Sequence, residues 1–374
     1  MNSKLKEVAL VFFKLGCFAF GGPAAHIAMM EDEVVTKRKW MTRDYFLDLI
    51  GTTNLIPGPN STEMTMHCGY ERAGKKGLFV AGIAFIFPAI IITGLLAYLY
   101  VEYGQLPEVA PFIFGIKPAV LAIIASAVIK LGKKAARTTT LIILGVLVLT
   151  ASLLGVNEVF ALLTAGVLGT LYFYLKEKTK GNLNNLSPFF LMSGLGFSLT
   201  KISALNVFWV FLKVGAILYG SGYVLFAYLD AELVTCGWLT RAELIDAIAV
   251  GQFTPGPVLS TSTFIGYQLS GFTGALAATT GIFLPSFLFV LILNPFIPKM
   301  RKSKILRYFL DAVNVAAVAI MLAVLIVMAK ETLLDWKAVV IAIGSAVLVF
   351  KTKVSSIWVI VLGSVLGFVL IKLL

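Results

Sequence analysis

The sequence predicts an all-α polytopic membrane protein with two inverted-topology repeats, about 10 transmembrane helices and two re-entrant helical hairpins. Three observations lead to this prediction. Hydrophobic residues make up 59% of the 374 residues and charged residues only 13%, a balance typical of helical membrane proteins. The chain resembles itself at an offset of about 198 residues. Each copy also contains a Pro-Gly-Pro motif between helical segments that are too short to cross a bilayer.

The composition also limits the possible function classes. The net charge of +12 is explained by lysines and arginines that mark cytoplasmic loops, so no nucleic-acid partner is expected. The cysteines Cys17, Cys68 and Cys236 show neither metal-ligand spacing nor a disulfide framework. The sequence contains no P-loop, metal-ligand cluster or nucleophile triad, so we expect neither an enzyme nor a bound cofactor or metal.

The internal repeat sets the predicted domain organisation. Trp40 pairs with Trp238 and Pro88 with Pro285, in the same order as the two Pro-Gly-Pro motifs. Two interrupted segments at matching places in two halves are typical of secondary transporters. The predicted units are a first membrane repeat, a linker and a second, inverted membrane repeat, over 1–180, 181–200 and 201–374.

Helical periodicity and the lengths of the apolar runs place the spans of each repeat. The predicted spans of the first repeat are 8–30, 78–100, 111–131, 139–155 and 157–175. Those of the second repeat are 205–229, 272–293, 308–329, 337–350 and 354–372. Each repeat adds one hairpin, over 44–73 or 242–270. Because each repeat has an odd number of predicted crossings, the second is expected to enter the membrane upside down.

The loop charges support this inversion. Residues 31–43 are basic, whereas the matching residues 230–243 carry several acidic groups. Most of the 31 lysines and arginines fall in loops that the predicted topology assigns to one face. By the positive-inside rule that face is cytoplasmic. We therefore expect a multi-pass protein of the cell membrane, such as a prokaryotic plasma membrane, with both termini outside.

The hairpin tips are candidate anion-binding elements. Each hairpin arm of about 13 residues would cover about 20 Å, against a hydrocarbon core of about 30 Å. A proline before a helix leaves the following amides free at the positive end of the helix dipole, where anions bind. The alternative is a surface turn that only interrupts the pattern. The candidate residues are Pro57, Gly58, Pro59, Asn60, Ser61 and Thr62 in the first tip and Pro255, Gly256, Pro257, Ser260 and Thr261 in the second.

Lysines inside predicted spans are the candidate cations. Lys14 and Lys213 occupy matching positions in the two repeats, and two cations related by a two-fold axis would suit an anion. Lys117 is a third candidate, and its counterpart Asn314 is polar but neutral. The alternative for Lys14 is that its ammonium group reaches back to the membrane interface.

Small residues follow the first helix of each repeat. Gly21 and Gly22, and their counterparts Gly220 and Ser221, are candidates to break this helix and expose backbone groups near the tips. Ordinary close packing of helices through small residues is the alternative. Asp246, which pairs with an aspartate of the first repeat, is a candidate partner for an arginine or for a lysine of the site.

Three further residues are candidates for proton coupling. Glu63 lies in the first turn after the first tip, and His67 follows four residues later on the same helix face. An acid and an imidazole at membrane depth are suited to carry a proton. His26, which follows the first glycine pair, could titrate too. The alternative for Glu63 is a purely electrostatic contact with the helix dipole.

At this point the residues resemble a known family. The stretch from Phe20 to Ile27, the doubled Pro-Gly-Pro motif and the stretch from Lys117 to Val120 are similar to the chromate ion transporter family. The resemblance implies a two-domain carrier of chromate, with sulfate as the alternative anion, that works as a proton-coupled efflux system. It carries the family's motif roles to Gly21, Gly22, Pro23 and His26, to Pro57, Gly58 and Pro59, and to Pro255, Gly256 and Pro257. The second glycine cluster departs from that motif at Ser221 and Gly222.

The sequence thus predicts a secondary active transporter of small tetrahedral oxyanions that works by alternating access. Its expected partners are a chromate- or sulfate-like anion and membrane lipid, and the expected assembly is a homodimer. One alternative is a carrier of an anionic lipid such as a polyprenyl phosphate, for which paired hairpins with cations would serve equally well. Another is a passive anion channel.

Overall fold

The computed structural model describes residues 3–19, 23–53, 56–104, 106–178, 202–219, 224–296, 303–352 and 354–372. Within these ranges all regular secondary structure is helical and no strand occurs. The all-α part of the predicted fold class is therefore confirmed. The predicted linker 181–200 lies outside the described residues.

The helices of the two halves follow each other in a similar order. In the first half they are α1 Ser3–Phe18, α2 Pro23–Glu31, a π-helical turn Asp32–Lys37, α3 Arg43–Thr53, α4 Asn60–Tyr103, α5 Ala110–Ala135, α6 Thr139–Leu153 and α7 Glu158–Lys178. In the second half they are α8 Ala204–Ile217, α9 Leu225–Leu229, a π-helical turn Asp230–Val234, α10 Arg241–Phe253, a 3-10 turn Val258–Ser260, α11 Thr261–Leu293, a 3-10 turn Asn294–Phe296, α12 Lys304–Thr332, α13 Trp336–Lys351 and α14 Ser356–Lys372.

Several of these helices are suited to a bilayer. Helices α4, α5, α7, α11 and α12 are long and apolar enough to cross one, and α6, α8 and α14 are apolar but shorter. Large apolar side chains lie exposed on the outer helices, including Leu147, Phe160 and Trp358. Exposed apolar surface of this extent is expected where lipid replaces water. The chain is therefore a multi-pass membrane protein, while the total of about 10 crossings stays a prediction.

The predicted first span, 8–30, is wrong as a single crossing. Helix α1 ends at Phe18 and α2 begins at Pro23, a residue that starts helices readily but cannot continue one. The Glu7 carboxylate near the start of α1 accepts hydrogen bonds from Arg38, which follows α2, at 3.1 Å, and from Arg72 at 2.7 Å. The two helices therefore fold back, and the described start of the chain lies at the same end as the basic loop rather than opposite to it.

The predicted span 205–229 is divided in the same way. Helix α8 ends at Ile217 and α9 begins at Leu225. The Lys213 ammonium lies 2.7 Å from the carboxylate of Glu232. In one continuous helix these two residues would lie about 28 Å apart, so the chain between them must reverse.

Helices α4 and α11 each contain a sharp reversal. At Ala73 and Gly74 the backbone leaves the helical region, with a φ of 64° at Gly74, and Ser270 and Gly271 repeat the same geometry. The two arms on either side of each reversal pack closely through glycines. A Cβ at Gly77, for example, would overlap the carbonyl oxygen of Gly69. Each long helix is thus a short arm after the Pro-Gly-Pro tip followed by a long arm. These bounds agree with the predicted hairpins.

The two halves pack against each other along several pairs of helices. Helix α5 runs antiparallel to α14, where a Cβ at Gly115 would overlap the backbone of Gly363. Helix α7 runs antiparallel to α12, where Phe173 stacks on Tyr308. The long arms of α4 and α11 meet where Phe79 stacks on Phe287. Sites between these helices therefore draw residues from both halves.

We expect Gly77→Ala to destabilise the protein, because the added methyl group overlaps Gly69 at the reversal of α4. The measurement is the loss of the monodisperse peak of detergent-purified protein on heating, with an expected drop of several degrees. Gly94→Ala on the same helix is the matched control, since its Cβ would meet only Thr263, at 3.9 Å. Equal melting of both variants would contradict the tight reversal.

Candidate functional site

The two Pro-Gly-Pro tips each bond to the opposite half of the chain. The amide of Gly58 donates to the carbonyl oxygen of Leu218, at 2.6 Å, just after α8. The amide of Gly256 donates to the carbonyl oxygen of Ala19, at 2.9 Å, just after α1. Both glycines have a positive φ, 140° and 84°, which other residues rarely adopt. The tips therefore lie where the first helix of the other half ends.

The surroundings of the two tips correspond in position but not in chemistry. A Cβ at Gly58 would overlap the Glu63 carboxylate and the hydroxyl of Ser286. A Cβ at Gly256 would meet Ala89 and the carbonyl oxygen of Gly16. Ser286 and Ala89 occupy matching places in the two repeats. The first tip is thus enclosed by polar groups and the second by apolar and backbone groups.

The residues of the first tip behave as predicted for a helix start. Pro59 has an extended conformation and precedes α4, and its carbonyl oxygen accepts from the amides of Thr62 and Glu63. Ser61 and Thr62 are buried, at 3% and 0% exposure. The Thr62 hydroxyl has no hydrogen-bond partner among the described residues. This hydroxyl remains available to a ligand.

The hydroxyls of the second tip are instead engaged within the protein. Ser260 accepts a hydrogen bond from Thr93 of α4 at 3.2 Å. Thr261 donates to the carbonyl oxygen of Val258 at 2.7 Å, and Pro257 accepts from the amide of Ser260. In this conformation these hydroxyl groups stabilise the tip and its contact with α4.

Glu63 and His67 are almost completely buried beside the first tip, at 0% and 1% exposure. The Glu63 carboxylate lies close to the Ser286 hydroxyl and the His67 ring close to the side chain of Asn294, but neither residue makes a hydrogen bond of good geometry among the described residues. Buried polar groups are normally satisfied, and unsatisfied ones often mark function. His26 is also buried, and one of its ring nitrogens lies 3.1 Å from the carbonyl oxygen of Ala19. Because Gly256 of the second tip donates to the same carbonyl oxygen, His26 lies close to the second tip.

The structure does not bring Lys14 and Lys213 to the tips. Lys14 is exposed on the side of α1 that also presents the exposed Leu10 and Phe18. The Lys213 side chain is 42% exposed and pairs with Glu232. Among the described residues, neither lysine makes an ion pair with a tip residue, and the ammonium group of Lys213 bonds to Glu232 instead. Spacing along a helix located these lysines, but the side that each helix turns inward decides whether they reach the tips.

Lys117 lies in a different environment. Its ammonium group is 3.3 Å from the Asp246 carboxylate, and the same oxygen of Asp246 accepts a 2.7 Å hydrogen bond from Tyr100. Asp246 is only 5% exposed. The repeat pattern singled out Asp246 without assigning its partner, and nothing in the sequence indicated Tyr100. Asn314, the counterpart of Lys117, is half-buried on α12.

Some candidates cannot be placed. Gly21, Gly22, Gly220 and Ser221 lie outside the described residues. Sequence reasoning also missed two tip contacts, Ser286 and Thr93, because hydroxyls in long apolar runs resemble ordinary helix residues. No cluster of metal-ligating residues occurs in the part of the chain that the structure describes.

The spaces near these groups differ in size. A cavity of about 20 Å³ beside the second tip is lined by residues that include Gly256, Thr254 and Ser355. This volume holds about one water molecule and is too small for a tetrahedral oxyanion. A larger groove of about 320 Å³ includes Asp246 and Tyr100 in its lining. The cavity beside the second tip is therefore small, whereas the larger groove lies beside Asp246 and Tyr100.

We expect a disulfide to form when Thr93 and Ser260 are both replaced by cysteine, because their hydroxyl oxygens are 3.2 Å apart across the two halves. The three native cysteines are first changed to alanine, and the bond is detected by mass spectrometry of peptides after mild oxidation. Thr93→Cys with Thr280→Cys is the control, since Thr280 is exposed. Equal crosslinking of both pairs would contradict the described packing of the second tip on α4.

The sequence of this chain is similar to that of known proteins over nearly its whole length. The family model described as Chromate transporter matches the chain twice, over residues 6–170 and 205–368. A chromate transport protein of Cupriavidus metallidurans is 32% identical over 97% of this chain and 92% of its own length. A probable chromate transport protein of Synechococcus elongatus is 28% identical over 97% of this chain and 95% of its own length.

A shorter relative matches only part of the chain. An uncharacterised transporter of Bacillus subtilis is 25% identical over 47% of this chain, which corresponds to 92% of its own length. No solved structure matches the chain. The doubled family match covers nearly all of the described helices, and together with the Cupriavidus relative it shows that the chain belongs to the chromate transporter family.

Proposed function

We propose that this protein is a secondary active transporter of small tetrahedral oxyanions, chromate first and sulfate as the alternative. Membership of the family supports an anion transporter, since its relatives are transport proteins and not enzymes. The observation that carries the finer proposal is the crossing of the two tips, Gly58 onto Leu218 and Gly256 onto Ala19. We further propose that it works in the cell membrane as a proton-coupled efflux system by alternating access.

The proposed architecture is a pair of inverted repeats, 1–180 and 201–374, joined by the linker. Arg72, before the long arm of α4, contacts Glu7 at one end of the molecule. Tyr100, near the other end of that arm, contacts Asp246 close to the start of α10. The two hairpins would then enter from opposite ends, as inverted repeats require. The doubled family match and the half-length relative also support a repeat unit.

The proposed substrate site lies at the crossing of the tips. Helix starts after Pro59 and Pro257 direct amide groups and positive dipole ends toward this region, which suits an anion. The Thr62 hydroxyl adds an unpartnered donor. Since the cavity beside the second tip is too small for an oxyanion, the site must widen in another conformation. Such a change is what alternating access requires.

Proton coupling is proposed for Glu63 and His67. Both are buried and lack a hydrogen bond of good geometry, and buried ionisable residues within a membrane commonly serve ion or proton pathways. Glu63 touches the Gly58 tip and the Ser286 hydroxyl, which comes from the other half. A change in the protonation of Glu63 would therefore act directly on the contact between the halves.

We expect purified protein in proteoliposomes to accumulate chromate against its gradient when a pH gradient is imposed. Chromate, sulfate, phosphate and chloride are compared with and without that gradient. Transport of the tetrahedral dianions alone would support the proposal. Conductance without saturation would instead identify a passive channel, and transfer of a polyprenyl phosphate without chromate uptake would identify a lipid carrier.

We expect Glu63→Gln to abolish accumulation driven by the pH gradient while downhill chromate exchange continues, because exchange does not require a proton to be released. The expected loss of the pH-driven component is at least about tenfold. Glu102→Gln, an exposed acid on the same helix, is the matched control. A normal response of Glu63→Gln to the pH gradient would remove Glu63 from the coupling step.

A further inference from the structure

The carbonyl oxygen of Ala19, which receives the second tip, accepts from two sides. The amide of Gly256 donates to it at 2.9 Å, and the Nε2 atom of His26 lies 3.1 Å from the same oxygen. A carbonyl oxygen can only accept, so this ring nitrogen must carry the hydrogen and donate it. One donor to the Ala19 carbonyl therefore comes from the opposite half, and the other comes from α2 of its own half.

The imidazole ring of His26 is held in this position by its surroundings. The residue is 1% exposed, and its ring meets that of Phe85 edge to face with 5.6 Å between the centroids. Phe85 belongs to the long arm of α4, and a Cβ at Gly16, one turn before Ala19, would overlap its carbonyl oxygen. The ring and the end of α1 thus pack against the same part of α4, which fixes them relative to each other.

The second half contains a similar side-chain cap. The hydroxyl of Tyr228 on α9 donates to the carbonyl oxygen of Ile217, the last residue of α8, at 3.3 Å. The next carbonyl, that of Leu218, accepts from the amide of Gly58 in the first tip. In both halves the helix after the break supplies a donor to the end of the helix before it. The contact of Tyr228 is the weaker one, because it is long for a hydroxyl donor and misses the acceptor of the tip by one residue.

The surroundings of His26 suit a neutral donor rather than a proton carrier. Its other ring nitrogen, Nδ1, is buried and has no hydrogen-bond partner in the part of the chain that the structure describes. A second proton would have to bind there, and no carboxylate of the described ranges forms an ion pair with the ring. Burying an unpaired charge is costly. Glu63 at the first tip differs, since a hydroxyl of the opposite half, that of Ser286, lies beside it.

We propose that His26 is a positioning residue, which as a neutral donor holds the Ala19 carbonyl in the orientation that receives the second tip. The inference deepens the proposed function and rests on it, because it takes the crossing of the tips as the transport site. Without the donor of His26 the carbonyl keeps one partner and turns more freely, so the bond from Gly256 is formed for a smaller fraction of the time. Loss of His26 then slows every mode of transport, whereas loss of a coupling residue removes only the response to protons.

The test uses the fact that the chain contains only two Pro-Gly pairs, one in each tip. Proline labelled with carbon-13 at the carbonyl and glycine labelled with nitrogen-15 therefore give two amide signals in an NMR spectrum filtered for that pair, those of Gly58 and Gly256. Hydrogen exchange of both amides is measured on the full chain in lipid nanodiscs. We expect His26→Leu to speed exchange at Gly256 by about tenfold and to leave Gly58 unchanged, since only the second tip shares its acceptor with His26.

Two further variants serve as controls. His26→Gln keeps a side-chain N–H donor, so we expect exchange at Gly256 to stay within about threefold of the wild type. Tyr228→Phe removes the cap of the second half and should leave exchange at Gly256 unchanged. The ring itself is followed by nitrogen-15 shifts, since the chain has only two histidines. We expect His26 to keep its hydrogen on Nε2 alone between about pH 5.5 and about pH 8.

Each outcome decides the inference. Unchanged exchange at Gly256 in monodisperse His26→Leu protein overturns it, and so does an equal increase at both tips. An imidazolium that forms at His26 within this pH range also overturns it. If His26→Leu does not fold, the ring measurement on the wild type still decides, and tenfold faster exchange at Gly256 in His26→Gln, an effect of about 1.4 kcal/mol, counts against the inference.

Transport separates the inference from the proposed function. In proteoliposomes we expect His26→Leu to lose pH-driven accumulation and downhill exchange of chromate by the same factor. A loss confined to the pH-driven component assigns His26 to proton coupling and overturns the positioning role. If the wild type carries no chromate but Gly256 responds as expected, the positioning role stands and the proposed function fails.

Discussion

The structure depends on how the ends of its interrupted helices are satisfied inside the protein. A helix that stops inside a bilayer leaves amide and carbonyl groups without water, and each unpaired group costs several kcal/mol. Gly58 donates to Leu218 and Gly256 donates to Ala19, so the tip of each half caps a carbonyl where the first helix of the other half has ended. Neither half can make this contact alone. Both tip positions are glycines because the capping contact brings the tip close to its neighbours, which a Cβ would crowd or overlap. Both also have a positive φ, which favours glycine.

The two halves have similar helices but chemically different side chains at matching positions. Gly58 is enclosed by Glu63 and Ser286, while Gly256 is enclosed by Ala89 and backbone groups. Lys117 likewise faces Asp246, whereas its counterpart is Asn314. Glu63 and Lys117 therefore have no ionisable counterpart in the second half, even though similar helices occur in both halves. Each of these groups touches the opposite half, so a relative movement of the halves would change its surroundings directly.

Much of the fold could be predicted because the length of an apolar run and the residues that start or end a helix are local properties of the sequence. Helices α5, α6 and α7 and their counterparts lie within a few residues of the predicted spans. The first span failed for the same reason, since 8–30 is long and apolar enough to resemble a crossing. The contact between Glu7 and Arg38 shows that it folds back, and hydropathy cannot detect a long-range contact of this kind. The site followed a similar pattern: the tips and Glu63 were identified by motif and spacing, but Ser286 and Tyr100 were not.

The sequence by itself determined the membrane class, the two Pro-Gly-Pro motifs and the candidate residues for the proposed anion and proton sites. These properties follow from composition, from the spacing of the repeat and from local backbone preference, none of which depends on contacts with distant residues. Only the tertiary structure decided which lysine has a buried counter-ion. Lys14 and Lys213 match in the repeat yet lie on exposed faces, while Lys117 reaches Asp246 across the two halves. The physical reason is that the rotation of a helix about its axis is fixed by packing against distant segments, which the pattern along one segment does not specify.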